Sequence, residues 1–212
     1  MKRIILFGDS NTYGRIPGTE TGRYDISQRW TTHLKAMLGD DWDVADEGFP
    51  GRTILPQEST PIELNGYDSL CASLSRHIPF DCLFIMLGTN DFKTKYNASP
   101  EEVIEGMKRL VKRSKEFMES NKIHAKIIIA SPPVFRPVVP KYAKLFEHAN
   151  EKMKAFGKML EEYASSEDIP FLNTKMIETD KRDGIHLSAE IQPMMAGLIR
   201  DILLANKGGN QN

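Results

Sequence analysis

The sequence predicts an α/β protein in which a parallel β-sheet carries helices on both faces. Three observations lead to this prediction. Short apolar runs alternate with helix-like segments along the whole chain, which is the pattern of repeated strand–helix–strand units. Most of these runs are continuously apolar, as expected of strands covered on both faces. The chain has 212 residues, a length typical of one domain.

Five short runs rich in apolar and β-branched residues are the predicted strands. In chain order they are Ile4–Phe7, Trp42–Ala45, Cys82–Leu87, Lys126–Ala130 and Ile169–Leu172. Crossovers between parallel strands are right-handed, so the segments between them should cover both faces of the sheet. Because such sheets bind ligands beyond the carboxyl ends of their strands, chemistry should be sought in the residues that follow each run.

Four segments have the features of helices: residues 27–38, 100–119, 142–163 and 187–205. Ser27 is the candidate N-cap of the first. Ser99, Pro100 and two acidic residues begin the second in the order that helix N-termini favour. In the third, apolar residues recur at three-, four- and seven-residue spacings, which indicates one buried face. We expect a single domain over residues 1–206 and a frayed tail at 207–212.

The charge balance and the apolar pattern exclude several classes of partner. Lys and Arg number 28 and Asp and Glu number 29, so no overall field favours nucleic acid or anionic lipid. No apolar run approaches the ~18 residues of a membrane span. The N-terminus MKRIILFGDS has four apolar residues after two basic ones, fewer than the ~7–15 of a signal peptide. We therefore expect a cytoplasmic protein.

The cysteines and histidines give no sign of a metal site. Cys71 and Cys82 are too few for a disulfide scaffold and form no Cys-x-x-Cys motif, so both are interpreted as small core residues. Four histidines are interpreted as packed or solvated: His33, His77, His124 and His148. None has a partner at a metal-ligand spacing, and we predict neither metal nor cofactor.

A candidate nucleophile and a candidate base lie near opposite ends of the chain. Ser10 follows the first strand after a Gly8-Asp9 turn, where outward-pointing N–H groups would suit a reaction that creates an oxyanion, although Ser10 alone could be a simple N-cap. Asp183 lies three residues before His186, so its carboxylate can hold one ring nitrogen and leave the other as a base. A serine hydroxyl needs such a base at neutral pH.

Two candidate donors follow the other strands. Asn90 comes after the third strand, where a side-chain amide can bind developing negative charge. Gly51 follows the second strand and can offer a backbone N–H at close range, because glycine lets a backbone approach a ligand. Each is a weak signal alone. A doubly wound sheet would bring them to the same edge as Ser10.

These residues fall within four blocks that resemble those of the GDSL, or SGNH, hydrolases. The blocks are Gly8–Ser10, the Gly48/Gly51 loop, Gly88–Asp91 and Asp183–His186, in the family's order and over residues 8 to 186. The resemblance is closest to the arylesterase/acyltransferase branch. Further stretches support that branch: Arg29-Trp30, Glu47-Gly48, Arg52-Thr53, Leu64–Gly66, Ile85–Lys93 and Ser131–Pro133.

The resemblance implies a fold and a set of roles. The fold is a three-layer α/β/α sandwich with a five-stranded parallel sheet in flavodoxin-like order. Ser10 is implied to be the nucleophile and His186 the general base, with Asp183 orienting the imidazole. The implied oxyanion hole consists of the N–H groups of Ser10 and Gly51 and the side chain of Asn90.

The implied function is a serine esterase that acts on small esters through an acyl-enzyme and releases the acyl group to water or to another alcohol. Alternatives are a carbohydrate O-deacetylase or short-chain thioesterase with the same machinery, and a ligand-binding protein that keeps the fold. Many family members have Asn five residues before the glycine at position 51, where this chain has Asp46, so the supporting hydrogen bonds there carry over less securely. The chain lacks the Gly-x-Ser-x-Gly elbow of α/β-hydrolases.

Three further interpretations concern the surroundings of this site. The apolar, proline-rich loop Ser131–Pro140 is expected either to wall the acyl pocket or to contact a second subunit. The ten methionines are interpreted as core or interface filler, and with this loop they suggest a homo-oligomer. Asp91 and Lys93 are interpreted as part of a solvated loop near the entrance.

Overall fold

A five-stranded, wholly parallel sheet forms the centre of the protein. The computed structural model describes residues 1–57, 60–136 and 138–205. The strands are β1 (Lys2–Gly8), β2 (Trp42–Gly48), β3 (Cys82–Met86), β4 (Lys126–Ala130) and β5 (Phe171–Leu172). Their spatial order is β2-β1-β3-β4-β5, the flavodoxin-like order, so the predicted fold class is confirmed. The predicted tail at 207–212 lies outside the described residues.

Seven α-helices accompany the sheet in the described residues. They are α1 (Ser10–Tyr13), α2 (Trp30–Leu38), α3 (Gly66–Ser75), α4 (Pro100–Ser120), α5 (Pro140–Ala143), α6 (Ala149–Ser166) and α7 (Gln192–Leu204). Successive side chains of a strand point to opposite faces, and those of β1 belong to two separate cores. Ile5 and Phe7 pack with residues of α3, α4 and α6. Ile4 and Leu6 pack with residues of α2 and α7, so the protein has three layers.

The strand register aligns the ends of the three neighbouring strands at which the site was predicted. Gly8 is paired with Gly48 on one side and with Met86 on the other. The turns that follow β1, β2 and β3 therefore leave the sheet at the same edge. Gly48 contacts the turn after β1 so closely that a Cβ there would lie 2.2 Å from the Tyr13 nitrogen, which excludes a larger residue.

Three predicted helix boundaries are wrong, each for a local reason. Ser27 lies inside a short 3₁₀ turn, and Arg29 precedes α2, so Ser27 is not its N-cap. The segment 142–163 is not one helix, because His148 adopts a left-handed backbone with φ of 59° and α6 begins only after it. The final helix begins at Gln192 rather than at residue 187, with a proline in its first turn.

One helix, α3, was not predicted at all. Its buried face combines Leu70 and Leu74 with Gly66, Ser69 and Ser73. Because more than half of this face is glycine or serine, the apolar periodicity that reveals helices is weak here. The same helix carries Cys71, which is partly exposed, so its assignment to the core is wrong, whereas Cys82 on β3 is fully buried.

Among the described residues no helix is both long enough and apolar enough to cross a membrane. The histidines interpreted as packed or solvated occupy both kinds of environment. His77 is partly buried with Nε2 2.6 Å from Glu47 Oε1, and His148 is exposed. Of the adjacent methionines near the C-terminus, Met195 is buried and Met194 is exposed.

The predicted start of α4 is confirmed and allows a stability test. The Ser99 hydroxyl accepts the Glu102 N–H at 3.2 Å, and the Glu102 carboxylate accepts the Ser99 N–H at 2.8 Å, a reciprocal capping box. We expect Ser99→Ala to lower the free energy of unfolding by about 1 kcal/mol. Urea denaturation would measure it. Ser120→Ala, which replaces an exposed serine at the other end of α4, should change the free energy of unfolding by less than ~0.5 kcal/mol. Equal effects of the two substitutions would contradict the capping role.

Candidate active site

Ser10 lies in a tight turn at the carboxyl end of β1. The Asp9 carboxylate accepts the Asn11 N–H at 2.9 Å and thereby caps the short helix α1, whose first residue is Ser10. The Ser10 side chain is 6% exposed and faces a cavity of about 400 Å³. Burial raises the pKa of Asp9, while the Asn11 N–H and the charge of His186 act in the opposite direction.

The predicted nucleophile, base and orienting carboxylate lie in one hydrogen-bonded row. His186 Nε2 is 3.0 Å from Ser10 Oγ, and His186 Nδ1 is 2.7 Å from Asp183 Oδ2. Asp183 is fully buried and accepts three backbone N–H groups, from Gly18 at 2.8 Å, Ile185 at 2.8 Å and His186 at 3.0 Å. Burial alone would raise the pKa of Asp183, but His186 and these N–H groups hold it well below its usual range.

Asn11 holds the histidine segment against the serine turn. Its side-chain Nδ2 donates to the Ile185 carbonyl at 3.3 Å, and its Oδ1 accepts the Leu187 N–H at 3.1 Å. Its own carbonyl accepts the Trp30 indole N–H at 2.9 Å, which fixes Asn11 in turn. Both neighbours of His186 are therefore anchored to the residue that follows Ser10.

The three predicted oxyanion donors line the cavity beside Ser10. Gly51 has φ of 89°, a left-handed conformation that glycine adopts without strain. The N–H groups of Ser10 and Gly51 donate to no acceptor within the described residues. Asn90 Nδ2 donates to the Arg52 carbonyl at 3.1 Å and lies 3.4 Å from Asp9 Oδ2, so its second N–H has only a long contact. All the predicted site residues thus lie together.

Asp91 is not part of a solvated loop. It is fully buried, and its carboxylate accepts the N–H groups of Ile54 at 3.0 Å and Leu55 at 2.9 Å, which fixes the loop after β2. Burial raises the pKa of Asp91 to about 7, although these N–H groups act in the opposite direction. Lys93, assigned to the same solvated loop, is half-buried and lines the cavity.

Arg52 is a buried charge whose role was not predicted. Its guanidinium donates to the carbonyls of Gly8, at 3.0 Å, and Glu47, and so joins the ends of β1 and β2. It also lies over the Phe7 ring, 4.2 Å from the centroid. Burial lowers the pKa of Arg52 to about 10. The sequence signals were its position directly after Gly51 in a strand-end loop and its place in the Arg52-Thr53 stretch that supports the family resemblance.

Asp46 retains supporting hydrogen bonds despite replacing the asparagine that many family members have. Its Oδ1 accepts the Gly48 N–H at 3.0 Å, and its Oδ2 lies 3.0 Å from Arg23 Nη2. Burial raises the pKa of Asp46, whereas the Gly48 N–H and Arg23 lower it. The end of β2 is therefore fixed by a carboxylate in this chain.

The apolar wall of the cavity comes from the segment after the proline-rich loop. Tyr142, Leu145 and Phe146 line the cavity, whereas no described residue of Ser131–Pro140 does. Phe135 of that loop instead packs edge-on against Phe146 at 5.0 Å between ring centroids. The loop therefore supports the cavity wall from behind and does not form it.

Residues 6–192 match the model of the GDSL-like lipase/acylhydrolase family. The chain belongs to this family. A carbohydrate acetylesterase from Sinorhizobium meliloti has a similar structure, with a TM-score of 0.91 and 33% identity over 97% of this chain and 99% of that one. The M. smegmatis aryl esterase gives a TM-score of 0.87 and 32% identity over 95% and 100% of the two chains. No match was found among the curated proteins.

Family membership and these neighbours identify the chain as a hydrolase of ester bonds, as the sequence predicted. The resemblance to the GDSL, or SGNH, hydrolases is likewise confirmed. The matched residues 6–192 span every block on which that resemblance was based.

The Asn11 contacts lead to a prediction about stability. Asn11→Ala removes the partners of the Ile185 carbonyl and the Leu187 N–H, which lie in a buried region. A buried polar group without a partner costs about 1–3 kcal/mol, so we expect a loss of that order in the free energy of unfolding. Urea denaturation would measure it. A loss below ~0.5 kcal/mol would show that the contact does not stabilise the fold.

Proposed function

We propose that the protein hydrolyses small carboxylic esters through an acyl-enzyme on Ser10. The observation that carries this proposal is the row of Ser10, His186 and Asp183, with separations of 3.0 Å and 2.7 Å. A carboxylate on Nδ1 stabilises the tautomer that carries its proton there. Nε2 is then free to accept the proton of the serine hydroxyl.

In the acylation step, Ser10 Oγ attacks the ester carbonyl carbon while its proton passes to His186 Nε2. The carbonyl oxygen becomes an oxyanion, for which the N–H groups of Ser10 and Gly51 and the amide of Asn90 are the proposed donors. One such donor typically stabilises the transition state by about 2.7–4 kcal/mol. The tetrahedral intermediate then expels the alcohol, which receives the proton from His186.

In the second step, water attacks the acyl-enzyme, and His186 takes one of its protons. The tetrahedral intermediate breaks down to release the acid, and the proton returns to Ser10. Another alcohol can replace water, so acyl transfer is part of the proposal. The aromatic and aliphatic wall of Tyr142, Leu145 and Phe146, in a cavity of about 400 Å³, favours small acyl groups.

The wider setting of the enzyme is also a proposal. A single domain over residues 1–206, a cytoplasmic location and assembly into a homo-oligomer all remain predictions from the sequence. Exposed apolar side chains support the last of these, notably Phe49, Ile62 and Met194, which are 40%, 60% and 44% exposed. Their burial between subunits would remove apolar surface from water.

Replacing the nucleophile gives the test of the mechanism. We expect Ser10→Ala to lower kcat/KM for 4-nitrophenyl acetate by at least ~10³-fold, because no hydroxyl remains to form the acyl-enzyme. A fluorophosphonate probe, detected by mass spectrometry, should label the parent at Ser10 and leave the variant unlabelled. Ser120→Ala, which replaces an exposed serine on α4, is the matched control. Its kcat/KM and its labelling at Ser10 should equal those of the parent. Equal hydrolysis by Ser10→Ala would end the proposal.

A second candidate function is O-deacetylation of a carbohydrate. It is favoured by the similarity to the S. meliloti carbohydrate acetylesterase and by the polar side of the cavity, where Arg15, Thr19 and Glu20 could hydrogen-bond to sugar hydroxyls. A short-chain thioesterase is the remaining alternative, because a thioester carbonyl can be attacked in the same way.

A substrate series separates these candidates. We expect kcat/KM to fall at least tenfold from phenyl acetate to phenyl octanoate, because only three side chains form the apolar wall and most of the remaining lining residues are polar. The kcat/KM for phenyl acetate should also exceed the values for acetylated glucose and for acetyl-CoA. Stopped assays of the released acid would measure the rate of hydrolysis of each of the four substrates. A higher kcat/KM for acetylated glucose would favour the deacetylase, and a higher one for acetyl-CoA the thioesterase.

A further inference from the structure

Lys93 is a half-buried cation in the cavity that holds Ser10 and Asn90. It directly follows the short turn Asn90–Phe92, and its own N–H donates to the Asn90 carbonyl at 3.3 Å, which fixes its backbone beside the site. Within the described ranges, no carboxylate oxygen lies within 4.0 Å of its ammonium group, and the side chain donates no hydrogen bond.

The carboxylates closest to Lys93 have other partners. Asp9 accepts the Asn11 N–H, and Asp91 accepts the N–H groups of the loop after β2. Glu20, on the polar side of the cavity, is paired with Lys141 at 2.7 Å. The positive charge of Lys93 is therefore balanced only over longer distances.

The surroundings of Lys93 disfavour an isolated charge and would favour an ion pair. Its Nζ lies 6.0 Å from the centroid of the Phe146 ring, which belongs to the apolar wall. Burial and the positive charge of Lys95 lower the pKa of Lys93, while the more distant charges of Asp9 and Asp91 act in the opposite direction. Two opposite charges attract more strongly beside an apolar wall than in water, because the effective dielectric constant is lower.

We propose that Lys93 forms an anion subsite and that the enzyme prefers esters bearing a carboxylate close to the reacting carbonyl. This inference rests on the proposed esterase function and names its substrate class. Arg15, which also lines the cavity, adds a second positive charge, whereas the charge of Glu20 is neutralised by Lys141. Among the charged side chains that line the cavity, the balance therefore favours an anion over a cation.

The test compares matched charged and neutral esters. 3-Acetoxybenzoate carries the carboxylate on the leaving group, monophenyl succinate carries it on the acyl group, and phenyl acetate carries none. We expect Lys93→Met to lower the ratio of kcat/KM for a charged ester to that for phenyl acetate by at least tenfold in one of the two series. Lys93→Arg should largely restore it. The affected series shows on which side of the ester the carboxylate binds.

Lys112→Met is the matched control, because Lys112 is an exposed lysine on α4 that does not line the cavity. It should leave both ratios as in the parent. If Lys93→Met changes the ratios no more than Lys112→Met does, the anion subsite is wrong, even when Ser10→Ala has shown the esterase mechanism to be right.

A binding measurement tests the subsite without turnover. 3-Acetamidobenzoate, an amide analogue of the charged ester, and acetanilide, its neutral counterpart, would be titrated calorimetrically into Ser10→Ala and into Ser10→Ala/Lys93→Met. We expect Lys93→Met to weaken binding of the anion at least fivefold more than that of acetanilide. Equal weakening of both ligands would overturn the subsite. A failure of the Ser10 mechanism would leave this readout intact.

Discussion

The site depends on a contact between two turns that are far apart in sequence. Ser10 and Asn11 meet the segment 185–187 through three hydrogen bonds, two from the Asn11 side chain and one between Ser10 and His186. The first turn is fixed because β1 lies between β2 and β3 in the sheet. Because both neighbours of His186 are fixed, its Nε2 is held 3.0 Å from the Ser10 hydroxyl although the two residues are far apart in sequence.

Buried charges stiffen the edge of the sheet around this contact. Asp183, Asp91 and Arg52 are each 2% exposed or less, and backbone groups supply most of their hydrogen bonds. Taking a charge out of water is costly unless such partners replace the water. Loss of one partner would therefore destabilise the fold, and the loops that carry the proposed oxyanion donors are held in one arrangement. Donors fixed in this way need no reorganisation when negative charge develops.

The sequence was most informative where a property is local. Short runs rich in apolar residues predicted all five strands, and most of these runs are continuously apolar because strands covered on both faces have that composition. The break before α6 was not predicted, because a left-handed His148 has no strong signal in sequence. The positions of Ser10 and Asn90 followed from strand ends. The contacts of Asn11, Arg52 and Asp91 could not be predicted, because their partners are backbone atoms brought near only by the fold.

Two buried carboxyl groups, in the turns after β1 and β3, raise an electrostatic question for the proposed reaction, which creates an oxyanion. Two ionised carboxylates, Asp9 and Asp91, would oppose negative charge on the substrate. Burial raises the pKa of both groups, with a smaller contribution from Asp9 at Asp91, so each has a weaker tendency to ionise than an exposed aspartate. The positive charge of Lys93 offsets the ionised remainder over a longer distance. The proposed oxyanion donors are then opposed by less negative charge than the residue types suggest, and the buried pair can fix the loops without cancelling the effect of these donors.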